Sequence, residues 1–161
     1  MKHIIFIVIL IVLGINACFA LEATPNSVDV SFGIQEYLIL EIDTSLVDFE
    51  TVNPEDSPFQ ENGASVMTIK SNAEENWELR TYASGDLISQ EDAGESVPLS
   101  QLKYKGGDIV SFTSFTTSPA VIWTGVTGTA NISMDYQLTI TYDDAAEDSY
   151  QTQVTYELVK Q

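Results

Sequence analysis

The chain has 161 residues, with Lys+Arg 6 against Asp+Glu 24 and a formal net charge of −18. That length fits a single domain. So acidic a chain lacks the clustered Lys and Arg that bind phosphate backbones or an anionic bilayer, so neither nucleic acid nor a membrane surface is an expected partner.

The first twenty residues read as a secretory signal peptide (1–20) ahead of one domain (21–161). Met1-Lys2-His3 is a short basic start, Ile4 to Leu13 is an unbroken apolar run, and Ala17-Cys18-Phe19-Ala20 places small residues for cleavage after Ala20. The apolar run is shorter than the roughly 20 residues of a membrane-spanning helix. The other readings are a retained N-terminal anchor and a lipoprotein. Ile15-Asn16-Ala17-Cys18 loosely follows a lipobox, which would put the lipid on Cys18. The expected location is therefore extracytoplasmic: secreted, periplasmic or cell surface.

Removing the leader also removes His3, Cys18 and Lys2. What remains has neither imidazole nor thiol and is one charge more negative. Without them there is no Ser-His-Asp or Cys-His arrangement, no ordinary zinc, iron–sulfur or haem ligand set, and no disulfide. The expectation is a non-enzyme without cofactor, held together by its core.

The mature chain reads as strands. Val28, Val30, Phe32 and Ile34 alternate with Asp29, Ser31, Gly33 and Gln35, and Leu38, Leu40 and Ile42 keep that parity. Val47 and Phe49 suggest a short strand ending at Asn53-Pro54. Residues 53–63 read as a loop with Asn62-Gly63 as a tight turn. Met67 and Ile69 continue as a strand, and Trp77, Leu79 and Thr81 give another. Ser84 to Pro98, mostly small and acidic, reads as a mobile connection. Leu99, Leu102 and Tyr104 lead to a break at Gly106-Gly107. Ile109, Phe112 and Phe115, then Val121-Ile122-Trp123, predict two more strands. Ile132 to Tyr142 and Tyr150 to Leu158 alternate around the acidic turn 143–149, which predicts a terminal β-hairpin.

About eight such strands with little helix imply an all-β fold, a two-sheet antiparallel immunoglobulin-like β-sandwich without disulfide. Trp77 or Trp123 would then carry the central packing.

Several short segments carry a resemblance. Val47-Asp48-Phe49-Glu50-Thr51-Val52-Asn53-Pro54 is similar to a V-D-F-G-T-V-x-P segment, Asn76-Trp77-Glu78-Leu79 to a W-x-L element, and Tyr150-x-x-x-Val154-Thr155-Tyr156-x-Leu158-Val159 to a closing strand. Together they resemble the broad group of exported bacterial immunoglobulin-like β-sandwich surface proteins, WxL-like, spore-coat or fimbria-type. The resemblance implies a non-catalytic structural or adhesive role. This chain departs from it at Glu50, where glycine is usual, and at Trp123, which Thr124-Gly125 follow in place of a second W-x-L.

The candidate sites are few. Trp123, near a strand end, is the candidate platform for a glycan, and a carbohydrate-binding module is the alternative function. Asp143, Asp144, Glu147 and Asp148 cluster as calcium ligands do, without the glycine of a calcium loop. Paired carboxylates at glycosidase spacing are inevitable among so many acids, and a solvated acidic face explains them better. Asn131-Ile132-Ser133 is a glycosylation sequon, of consequence only in a eukaryotic host. Val28, Val30, Phe32 and Ile34 are strand-donor candidates that would complete a neighbour's sheet, the other reading being a strand paired in its own domain. Asp29, Glu41 and Asp43 would guard sheet edges. The expected partners are other surface proteins or copies of this chain, and glycans under the alternative.

Overall fold

The computed structural model describes residues 28–161. The leader, the cleavage position at Ala20 and Cys18 lie outside these residues. The chain divides at Gly33, and the body is Ile34–Gln161.

The body is all-β, and every strand pair in it is antiparallel. The strands are β1 (Leu38–Ile42), β2 (Phe59–Ser71), β3 (Trp77–Ala83), β4 (Leu87–Ser89), β5 (Ser96–Val97), β6 (Leu102–Gly106), β7 (Ile109–Ser114), β8 (Ala120–Gly125), β9 (Gly128–Leu138), β10 (Tyr150–Gln151) and β11 (Val154–Lys160). Five of them form one sheet in the order β1-β2-β9-β6-β7, and three form a second in the order β11-β3-β8. A small sheet, β10-β4-β5, lies apart from both in hydrogen bonding.

Alternation explains why the two main sheets face each other. Met67 and Ile69 of β2, Trp77 and Leu79 of β3, and Ile132, Met134 and Tyr136 of β9 all point inward and are buried. With Leu102, Tyr104, Phe115 and Ile122 they make one core, an arrangement consistent with a β-sandwich. Each fully buried side chain of this size contributes about 1.5–3 kcal/mol. Trp77 takes the central position, and its Nε1 donates to the carbonyl of Val126 at 3.0 Å. Gly125 permits this, because a Cβ there would lie 2.1 Å from the indole.

A polar tie crosses the core. The Tyr136 hydroxyl on β9 lies 2.6 Å from that of Tyr156 on β11 and 3.1 Å from Ser65 Oγ on β2. Burial, followed by the neighbouring Tyr136, pushes the Tyr156 phenol far above its ordinary range, so it stays protonated.

Five expectations are corrected. Val28 to Ile34 form no strand. Val47 and Phe49 form none either, although both pack half-buried on the core. There, local bonds compete with a ladder: Thr44 Oγ1 donates to the Leu46 carbonyl, and the Glu50 N–H donates to Asp48 Oδ1. Asn62-Gly63 is a bulge inside β2 rather than a turn. The register slips between Glu61 and Ser65, with Gly63 at φ 63°. Ser84 to Pro98 holds β4 and β5, with Leu87 and Val97 buried. Finally, β9 and β11 are not a hairpin. Both edges of β9 are taken by β2 and β6, and β11 pairs with β3 in the other sheet.

Glu50 carries a backbone cost. Its φ of 56° is left-handed, the region where glycine is at ease and an L side chain is not. Glu50→Gly is expected to stabilise the fold by up to about 1 kcal/mol, read as a higher Tm; a lower Tm would contradict it. In the tyrosine tie, Tyr136→Phe removes the middle member and strips a partner from both Ser65 and Tyr156. Urea titration should show it costing more than Tyr156→Phe, by about 1 kcal/mol, and equal losses would show that the tie does not act as a chain.

Candidate functional site: an open sheet edge and an exposed alternating segment

Antiparallel pairing gives β1 two different sides. The Asn72 N–H donates to the Tyr37 carbonyl and the Asp43 N–H to the Val66 carbonyl, each at 3.1 Å. With Ile39 opposite Lys70 and Glu41 opposite Thr68, these set the bonded parity. Residues 37, 39, 41 and 43 bond toward β2. The N–H and C=O groups of Leu38, Leu40 and Ile42 therefore face away from the sheet. Among the described residues β1 is the outermost strand of its sheet and has no neighbour on that side.

The same three residues point their side chains inward. Opposite them, Ser71, Ile69 and Met67 are buried. Leu38 and Leu40 are only half-buried, however, and Ile42 is 42% exposed. The core thins at this strand. A similar row of half-buried residues, Val154, Tyr156 and Leu158, runs along β11, the edge of the second sheet. The Lys160 ammonium beside β1's approach bonds Glu36 at 2.8 Å.

The charges expected to guard this edge are engaged elsewhere. Lys70 Nζ lies 2.8 Å from the Glu41 carboxylate, and Asp43 Oδ1 accepts from the Val66 N–H at 2.8 Å. Asp29 lies on no strand.

Val28, Val30, Phe32 and Ile34 are exposed by 86%, 84%, 81% and 78%. Four apolar side chains at period two thus stand in solvent without a sheet. The residues that follow are held differently. Asn72 Nδ2 donates to the Gln35 carbonyl at 2.8 Å, and Asn72 Oδ1 accepts from the Tyr37 N–H.

Trp123 is half-buried and packs on the core. It also lines a shallow open trough of about 250 Å³ with Trp77, Thr124, Gly125, Val126 and Thr127. A second trough of about 320 Å³ lies on Tyr37, Ile39, Lys70, Asn72 and Thr129. The tyrosines divide: Tyr136 is buried, Tyr150 and Tyr156 are half-buried, and Tyr142 is 76% exposed, donating to Glu55. In the acidic turn, Asp144 Oδ2 accepts from the Thr141 N–H at 2.7 Å and from Gln101 Nε2 at 3.0 Å, so it shapes the turn. Among the described residues no three acidic, histidine or cysteine side chains group as a metal site would require. No helix among them is long and apolar enough to cross a membrane.

On the outer face of the five-stranded sheet, Asp135 anchors the β2 bulge. Its Oδ1 accepts from the Gly63 N–H at 2.7 Å, and its Oδ2 lies 2.8 Å from Lys105 Nζ, which also sits 4.9 Å from the Phe112 ring centroid. The bond from Lys105, and then that from Gly63, holds the Asp135 carboxyl below its usual range.

No protein-family model matches the chain, and no curated protein matches it.

A lowered carboxyl pKa stabilises the fold above the unfolded value, about 3.9, and that contribution fades as pH falls through the folded one. Asp135→Asn should therefore be less stable at neutral pH, by less than about 1 kcal/mol for so exposed a pair. The gap to the parent should begin to narrow at about pH 4 and close only in stronger acid, as Asp135 is protonated in the folded chain. A gap that persists in acid would assign the loss to packing instead.

Proposed function

We propose that this chain is an exported, non-catalytic structural or adhesive component of a cell envelope, coat or surface fibre. It works by surface complementarity and strand-edge pairing on an immunoglobulin-like sandwich. The observation that carries this reading is the pairing of two unfinished features in one chain. An apolar, alternating segment stands exposed, and an edge strand has a row of backbone groups with no partner among the described residues, above a thinning core. Soluble monomers usually blunt such edges with charge, and here Glu41 and Asp43 are tied back to β2. The start of the sequence, with its basic residues, apolar run and the small residues of Ala17-Cys18-Phe19-Ala20, supports export. The glycan-binding alternative rests on Trp123, which is half-buried, packs in part on the core and lines an open trough.

Cell fractionation with intact-mass analysis tests the reading. A chain beginning at Leu21, or at a lipid-bearing Cys18, is expected outside the cytoplasm. Recovery of the Met1 precursor from the cytosol would overturn it.

A further inference from the structure

We propose that residues Val28–Ile34 of one copy add as a strand to the open edge of β1 in a second copy; this rests on the surface-assembly reading above and names its partner. Parity matches on both sides. Val28, Val30, Phe32 and Ile34 share one face of an extended segment. Laid beside β1, that face continues the inward row of Leu38, Leu40 and Ile42 and covers what they leave exposed. The opposite face, Asp29, Ser31 and Gly33, then looks to solvent beside Ile39 and Glu41. The backbone of the segment satisfies the N–H and C=O groups that Leu38, Leu40 and Ile42 direct away from β2.

The structure favours a second copy over the chain's own segment. To pair with β1 of the same chain, residues 28–34 would have to reverse within Gln35-Glu36-Tyr37. Those three residues are pinned. Asn72 bonds Gln35 once and Tyr37 twice, and Glu36 is held by Lys160. The other outer strand of the large sheet, β7, is a poorer acceptor. Its Val110 is 88% exposed, but Thr113, opposite the buried Tyr104, breaks any apolar row. Because each copy both gives and receives a strand, through different surfaces, the contact is head-to-tail and propagates into a filament unless the rotation closes a ring.

The experiment uses the exported full chain and two single variants. Phe32→Asp spoils the donor face at an exposed position, leaving the body untouched. Ile42→Pro deletes an N–H that β2 does not use, so it blocks the edge while keeping the ladder. Sedimentation should show assemblies for the parent and monomers for each variant alone. An equimolar mixture of the two should give a dimer and nothing longer, since one copy keeps only its edge and the other only its segment. Near-ultraviolet circular dichroism checks that the variants stay folded. If Ile42→Pro does not fold, a peptide of residues 26–36 added to the Phe32→Asp chain replaces it, with binding expected. Assembly of Phe32→Asp like the parent overturns the proposal, as does a mixture without dimer or a peptide without binding. A parent that reaches the cell surface but stays monomeric overturns this inference and leaves the surface role standing.

Discussion

An antiparallel sheet must end, and at its last strand half of the backbone groups have no partner within it. In this chain the end falls at β1, where the core also runs thin. Inward residues of β2 are sealed, whereas those of β1, directly opposite, remain half in water. No thiol exists beyond Cys18 to tie the two sheets covalently, so cohesion rests on the inward rows and on the Tyr136–Tyr156 contact between sheets. Those rows are complete in the middle of each sheet and incomplete at the β1 and β11 margins. The unfinished margin is where another chain gains most by adding apolar surface.

Local alternation made much of this legible in the sequence. Trp77, Leu79 and Thr81 alternate because both neighbours of β3 are present and one face is sealed, and the element lies where the pattern places it. Ile132 to Leu138 read equally well. The pattern failed where a strand's partner had to be known. The alternation of Tyr150 to Leu158 is real, yet whether it returns beside β9 or crosses to β3 depends on which edges are already taken. Periodicity does not record that. Asn62-Gly63 signals a left-handed glycine in either a turn or a bulge, and only the inward row that continues through Ser65, Met67 and Ile69 distinguishes them. Ser84 to Pro98 reads as polar because β4 and β5 are short and each buries a single apolar side chain, Leu87 and Val97.

The site was half legible for the same reason. Val28, Val30, Phe32 and Ile34 announce a strand by spacing, yet they lie on none in this structure, and spacing does not name a sheet that would receive them. The edge status of β1 is a property of topology alone. Glu50 shows the converse: its departure from a glycine-bearing pattern is visible in the sequence, and its left-handed φ gives that departure a physical cost.

Backbone amide exchange followed residue by residue tests the central claim most directly, because β1 should be protected on every second amide. In the monomer, Ile39 and Glu41 should exchange slowly, Leu38, Leu40 and Ile42 fast, and residues 28–34 at the rate of an unstructured peptide. On assembly the fast set in β1 and the segment 28–34 should become protected together. Uniform protection along β1 in the monomer, or slow exchange at 28–34 before any assembly, would show that the edge is already filled from within.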